Sequence, residues 1–386
     1  MEDIKKEIKK ESNLIKINKY VNREFKSNPN LKFNSYILSY KKYPGEVVEI
    51  FCSYRDGKIY IIINRNNILD VYETVDSSDI HKILSLSKHE KDIKVVKYLI
   101  DPKDQAQYLV SADDKEIFIW DIDNNFNDIY KIDYDSNLID CLLLFSNNKI
   151  DNNYIFVSNC KQTEGMNCYI SQTKMYSFSN HFIKNLESVD GYFYHLLLWH
   201  DKIKDIYYIV ILTIIYIAIY NLFDGKLYHR FFNYTGDFHF NTNANKADHA
   251  YIYQKDNNYY LVDLNYYTVT IWDLYDKCKF KSIDTNIKIF NKKLKETNPY
   301  KLKHLVKWNN KYTIVINKYY SYPNHDYSFI QIVDLESGKF ITRMGNAEDE
   351  KECIRFIKTI IHPIFGESLL IVDKFNGIQL WTIKKD

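Results

Sequence analysis

Glycine is scarce in this chain, ten in 386 residues, and proline scarcer still at six. So little glycine leaves few loops that could cradle a phosphate, and neither G-x-x-x-x-G-K nor G-x-G-x-x-G occurs. The strained G-x-S-x-G elbow of serine hydrolases is absent too. The six cysteines, at 52, 141, 160, 168, 278 and 353, form no C-x-x-C pair. That removes the usual zinc and thioredoxin-like spacings. With no secretory signal at the start, reduced thiols in an intracellular protein are expected. No H-E-x-x-H and no acidic calcium loop is present. Neither sign of charge dominates: the net charge is +2, which argues against a global field aimed at nucleic acid or membrane. Arginine is thin, six against 46 lysines, while Asn, Ile and Tyr abound. This pattern reads as the imprint of an AT-rich coding sequence, so clusters of lysine carry less meaning than usual.

What the chain does have is a short recurring phrase. Its clearest copies are Ile117-Phe118-Ile119-Trp120-Asp121-Ile122 and Val269-Thr270-Ile271-Trp272-Asp273-Leu274. The order apolar, variable, apolar, aromatic, acid, apolar alternates with period two and predicts a strand. Looser copies run from Ile217 to Leu222, Ile330 to Leu335 and Ile378 to Ile383, with weaker ones ending at Tyr72 and Tyr176. The register extends further, because Tyr207 to Asp224 aligns without a gap to Tyr259 to Asp276. The aromatic positions fall at 72, 120, 176, 220, 272, 333 and 381, at intervals of 44 to 61 residues. Each interval holds several further strand candidates. In the second unit these are Ile93 to Leu99 and Gln107 to Ser111, and in the seventh Ile354 to Ile361 and Leu369 to Asp373. Four short strands per unit, repeated with turn signals, read as the blades of a propeller.

Residues 1 to 27 stand apart, with eight basic and five acidic side chains and apolar residues at spacings of three and four. Residues 1–30 are expected to form a lysine-rich extension, either an amphipathic docking helix or a solvated, disordered arm. The propeller is expected over 31–386. Its first strand, near Tyr36 to Tyr40, has no repeat of its own, while the last repeat ends almost at the C-terminus. An incomplete sheet at each end predicts that the two complete each other and leave no exposed edge.

On these residues the chain resembles the WD-repeat β-propeller family, whose signature dipeptide corresponds to Trp120-Asp121 and Trp272-Asp273. The resemblance implies an all-β, seven-bladed propeller. It also implies that His89, Ser111, Asp114 and Trp120 form the hydrogen-bonded network that braces a blade in that family. The Gly-His dipeptide usual before each blade is missing, and the other six units lack members of the network.

Ile206 to Phe223 carries no charge over eighteen residues, the lower limit for a membrane-spanning helix. Its β-branched and Tyr content, and its alignment to a segment containing Asp263 and Asp273, predict two buried strands instead. No stable membrane insertion is expected.

No catalytic residue, cofactor site or metal site emerges. The expected function is a non-catalytic protein-interaction scaffold within an intracellular complex, cytoplasmic or nuclear, and not a homo-oligomer. The alternatives are an RNA-binding assembly factor and an enzyme with a site at the central channel. Lys288, Lys292, Lys293 and Lys295 are interleaved with Ile289 and Phe290, a pattern that suits RNA or a solvated loop. Two insertions suggest where a partner sits. Asn317 to Tyr327 lengthens the sixth unit with a loop rich in aromatics, and Ile287 to Lys303 lengthens the link before it. Tyr319, Tyr320 and Tyr322 are the expected aromatic anchors. Lys292, Lys293 and Lys295 are the expected basic rim, suiting an acidic, partly apolar peptide.

Overall fold

A computed structural model describes residues 15–16, 33–39, 44–53, 55–74, 80–101, 105–134, 141–147, 150–162, 169–178, 182–186, 188–191, 193–213, 215–232, 250–264, 268–284, 303–308, 311–321, 326–344, 354–362, 366–373 and 378–383. The architecture is that of an all-β, seven-bladed β-propeller, one antiparallel sheet per blade. All seven recurring phrases become the third strand of their sheet, the clearest being Glu116–Asp121 and Thr268–Asp273. The uncharged stretch after Ile206 forms two antiparallel strands, Ile206–Thr213 and Tyr216–Asn221. Among the described residues, no helix is long and apolar enough to cross a membrane.

The chain divides into two compact units. The first comprises residues 1–65, 69–86 and 286–386, and the second 66–68 and 87–285. In the first unit the N-terminal strand Phe33–Ser39 pairs with the last strand, Ile378–Ile383, in the register Ser35↔Trp381 and Ile37↔Gln379. The chain's beginning thus supplies the fourth strand of blade 7. The first strands of blades 1 and 7 are joined as well, because Lys358 Nζ donates to the buried Glu49 carboxylate across 309 residues of sequence. Of the N-terminal extension only Ile15 and Lys16 are described. They are strand rather than helix, pairing with Ile37 and Tyr36, because a neighbouring strand offers them backbone partners. The rest of the expected helix or arm lies outside the described residues.

Within each unit the core lies between successive sheets. In the second unit Val110, Ile119 and Ile132 of blade 2 meet Ile155, Val157 and Tyr176 of blade 3. Blade 4 packs on blade 5 through Val210, Ile219, Leu261 and Trp272. In the first unit blade 1 packs on blade 7 through Ile50, Ile61, Leu370 and Leu380. A blade therefore buries both faces, and its middle strands read as near-continuous apolar runs, such as Ile59–Arg65. Each fully buried aliphatic side chain contributes about 1.5–3 kcal/mol. The fourth strand of blade 2, Asn127–Asp133, is exposed and charged, which blunts its free edge.

The acid that follows the aromatic position has a local task. Asp273 Oδ1 accepts the backbone N–H groups of Tyr275 and Asp276, and Asn221 Oδ1 those of Phe223 and Asp224. Asp121 and Asp334 cap the same turn in blades 2 and 6. This closes a tight turn without glycine at its centre. The residue four positions after the cap has positive φ every time: Asn125, Gly225, Lys277 and Gly338. Leu222 and Leu274, the last apolar members of the phrase, are buried and donate their N–H groups to Tyr207 and Tyr259 carbonyls.

Blade 2 carries the expected polar brace with one member changed. His89 Nε2 lies 2.7 Å from Ser111 Oγ, and Trp120 Nε1 donates to the same oxygen at 2.9 Å. The acid is Asp113, whose Oδ2 is 3.0 Å from His89 Nδ1, and not Asp114. The reason is strand periodicity: position 113 lies two residues after Ser111 and so on the same face, whereas 114 falls on the other. Asp113 Oδ1 also accepts the N–H groups of Lys115 and Glu116, so the carboxylate holds its own turn. A carboxylate only accepts, which makes Nδ1 the protonated nitrogen and lets Nε2 accept from Ser111. Burial holds the His89 imidazole below the usual histidine range, against the pull of Asp113. Burial alone would raise the Asp113 carboxyl. The Lys115 N–H, His89 and the Glu116 N–H outweigh it and hold the carboxyl below its ordinary range.

These contacts carry testable expectations. Deleting residues 1–40 removes the fourth strand of blade 7, and each lost backbone hydrogen bond is worth about 1 kcal/mol. The melting temperature should fall by several degrees relative to a deletion of 1–27 measured by differential scanning fluorimetry, and equal values would sink the closure. Ser111→Ala leaves buried nitrogens of both His89 and Trp120 unpaired, at about 1–3 kcal/mol each in urea denaturation. As pH falls below about 6.5, the unfolded histidine takes a proton that the folded one resists, so stability should drop, with a further loss from Asp113 below about pH 4. A His89→Gln variant should show a shallower decline between about pH 7 and pH 5.

Candidate partner-binding surface

The sixth blade departs from the expected loop. Strands Lys311–Ser321 and Asp326–Asp334 run through most of the segment from Asn317 to Tyr327, leaving only 322–325 between them. Alternation and a high content of Tyr, a good strand former, explain why a ladder replaces the loop. Tyr319 pairs with Ser328 and Tyr320 with Tyr327. The flanking strands stop earlier, with the pairs Lys303↔Ile316 and Ile330↔Met344. The four rungs from Lys318↔Phe329 to Ser321↔Asp326 therefore form a two-stranded ribbon beyond the sheet. The register places positions 318, 320, 327 and 329 on one face of it. Tyr322, Lys292, Lys293 and Lys295 lie outside the described residues.

A second surface, within the 87–285 unit, was not anticipated. It is built from the turn Lys202–Asp205 of blade 4, the fourth strand of that blade and the turn Leu274–Lys277 of blade 5. Trp199, Tyr208 and Tyr259 form a buried aromatic floor, with Trp199 stacked on Tyr208 at 4.5 Å and tilted against Tyr259 at 5.7 Å. Half-buried Tyr228 and Tyr275 stand on this floor, their ring centroids 5.9 Å and 6.2 Å from that of Trp199.

Asp201 sits beneath the rings, fully buried. Its Oδ1 accepts the Tyr275 hydroxyl at 2.6 Å and the N–H groups of Ile203 and Lys204. Oδ2 has no hydrogen-bond partner among the described residues. The only cation paired with it there is Lys204 Nζ at 3.6 Å, which also lies 4.5 Å from the Tyr275 ring centroid. Lys277 Nζ lies 4.3 Å from the Tyr228 centroid. Burial, with the Asp201 hydrogen bond and charge, pushes the Tyr275 hydroxyl well above the usual phenol range. Burial also raises Tyr208 and Tyr228, so all three phenols stay protonated at neutral pH. Burial lowers His229, and Lys277 lowers it further. The gap-free alignment of Tyr207–Asp224 to Tyr259–Asp276 matches the turn after Asn221 to the turn after Asp273, so it gave no signal for the 202–205 turn that completes this surface.

Metal-ligand geometry is offered by His89, Asp113 and Glu116, whose ligand atoms lie within 4.8 Å of one another. Their chemistry is already committed. His89 and Asp113 bind each other and Ser111, and Glu116 Oε1 pairs with Lys131 at 2.5 Å. A cation there would have to dismantle the brace of blade 2. Among the described residues Cys52 and Cys278 are free thiols. Burial, reinforced by Asp56, pushes Cys52 up to about 12, which makes it inert rather than nucleophilic.

No protein-family model and no curated protein matches the chain. Solved structures do. Two crystal structures of BBS1N in complex with ARL6DN, one soaked with lead and one with mercury, each align with a TM-score of 0.55 at 10% sequence identity. Each alignment covers 90% of this chain, and 97% and 94% of the respective matched chains. At that identity the likeness is one of fold: this chain shares its propeller architecture with a domain solved bound to another protein.

Proposed function

We propose that this protein is a degenerate WD-repeat propeller serving as a non-catalytic interaction scaffold in an intracellular multiprotein complex, cytoplasmic or nuclear. The observation that carries the reading is the blade 6 ribbon. Four rungs extend past the sheet and bear Tyr319, Tyr320, Tyr327 and Phe329, where a two-stranded ladder gains little from its own blade. Aromatic residues on a protruding ladder suit an interface anchor, since they bring large contact area with few rotatable bonds. The BBS1N likeness supports the class, that propeller having been solved in complex with a protein. The lysines at 292, 293 and 295 supply steering toward an acidic, partly apolar segment of the partner.

The experiment is affinity purification of the tagged protein with mass spectrometry, followed by binding measurements on the recovered partner. Tyr319→Ala, Tyr320→Ala and Tyr322→Ala combined should cost about 2 kcal/mol or more of affinity without loss of fold. Neutralising the three lysines should slow association and flatten its salt dependence. Unchanged affinity in the folded triple variant would remove the ribbon from the interface. Co-purification that disappears with ribonuclease would replace the scaffold with an RNA-assembly role.

A further inference from the structure

The Asp201 cluster holds a positive charge that belongs to the protein but is loosely kept. Asp201 is a fully buried carboxylate, and a buried charge is stable only when both oxygens are compensated. Among the described residues Oδ1 has three hydrogen bonds, while Oδ2 has only the Lys204 ammonium at 3.6 Å, beyond hydrogen-bonding reach. Lys204 stands in an exposed four-residue turn, and its side chain keeps 47% of its surface in water. The rest of the site is rigid. Tyr275 is tethered by its hydroxyl to Oδ1 and backed by Trp199 and Tyr259. The turn carrying it is capped by Asp273.

We propose that this is an exchangeable cation site, occupied by Lys204 in the free protein and taken over by an arginine or lysine side chain of a binding partner. The charge pattern selects a cation. The negative face of the Tyr275 ring and the uncompensated oxygen of Asp201 converge on one point, and both repel an anion. The neighbouring Tyr228 face also holds an ammonium, that of Lys277, so the surface accepts this chemistry twice. A guanidinium suits it better than an ammonium. Its plane stacks on Tyr275 while one N–H reaches Oδ2, two contacts that Lys204 cannot both optimise from its own turn. Displaced, Lys204 swings into solvent at little cost because its side chain already keeps nearly half of its surface in water. The scaffold reading enters only in naming a partner as the source of the cation; the capacity of the site to bind one is independent of it.

The test uses the full chain with Lys204→Ala, which vacates the site, and methylguanidinium chloride as the probe. Sodium chloride at equal ionic strength is the control, and the readouts are melting temperature and tryptophan fluorescence. A saturable rise in melting temperature is expected in Lys204→Ala, at a concentration about tenfold lower than in the unaltered protein, where Lys204 competes. The response should vanish in Lys204→Ala combined with Asp201→Asn. n-Butylammonium chloride in the same assay separates the two sources: tighter binding of the guanidinium assigns the site to arginine, and the reverse assigns it to lysine. If the alanine variant does not fold, Lys204→Met keeps the aliphatic stem over Tyr275 and removes only the charge. A response no different from sodium chloride, or one unchanged by Asp201→Asn, overturns the site and leaves the scaffold reading untouched.

Discussion

The pairing of Phe33–Ser39 with Ile378–Ile383 is the constraint on which the 1–65, 69–86 and 286–386 unit depends. A sheet whose two faces are both apolar cannot stand alone, so each blade needs a neighbour, and the last blade draws on the chain's own beginning. Closing a loop of that length costs entropy that grows only slowly with size, so one six-residue ladder can carry the closure. The buried Glu49 and its Lys358 partner act at the same junction. A buried carboxylate that meets its ammonium only when blades 1 and 7 are in register adds specificity to a join that hydrophobic contact alone would leave permissive.

Scarce glycine makes the turns unusual. Where the backbone needs positive φ after a capped turn, blades 4 and 6 supply Gly225 and Gly338, but blades 2 and 5 place Asn125 and Lys277 there. The Asp or Asn cap makes this tolerable, because the hydrogen bonds it accepts hold the turn regardless of the residue that follows. One consequence is local: Lys277, held in that conformation, presents its ammonium to Tyr228.

Two buried aspartates show how the same chemistry serves different ends. Asp113 is satisfied on both oxygens by backbone N–H groups and a neutral histidine, and the result is a closed brace. Among the described residues Asp201 is satisfied on one oxygen only, and the other faces a half-exposed lysine. A fully paired network stabilises its blade and has nothing left to offer a ligand; a half-paired one retains binding capacity.

Periodicity in the sequence was enough to determine the class of fold, the seven third strands and the complementarity of the two chain ends. Period-two alternation and the aromatic–acid dipeptide are local properties, and each blade repeats them independently. The brace was visible down to His89, Ser111 and Trp120, yet its acid was misplaced by one position, because adjacent aspartates look alike until a strand assigns them to opposite faces. The aromatics from Asn317 to Tyr327 were visible as a cluster, but not as a ladder, since pairing depends on a partner strand and not on composition. The Asp201 cluster was beyond reach of the sequence altogether. Trp199 and Asp201 share a strand, but Lys204, Tyr228 and Tyr275 come from other turns and strands of two blades, and only packing one sheet against the next brings a buried carboxylate, aromatic faces and a half-exposed ammonium to a single point.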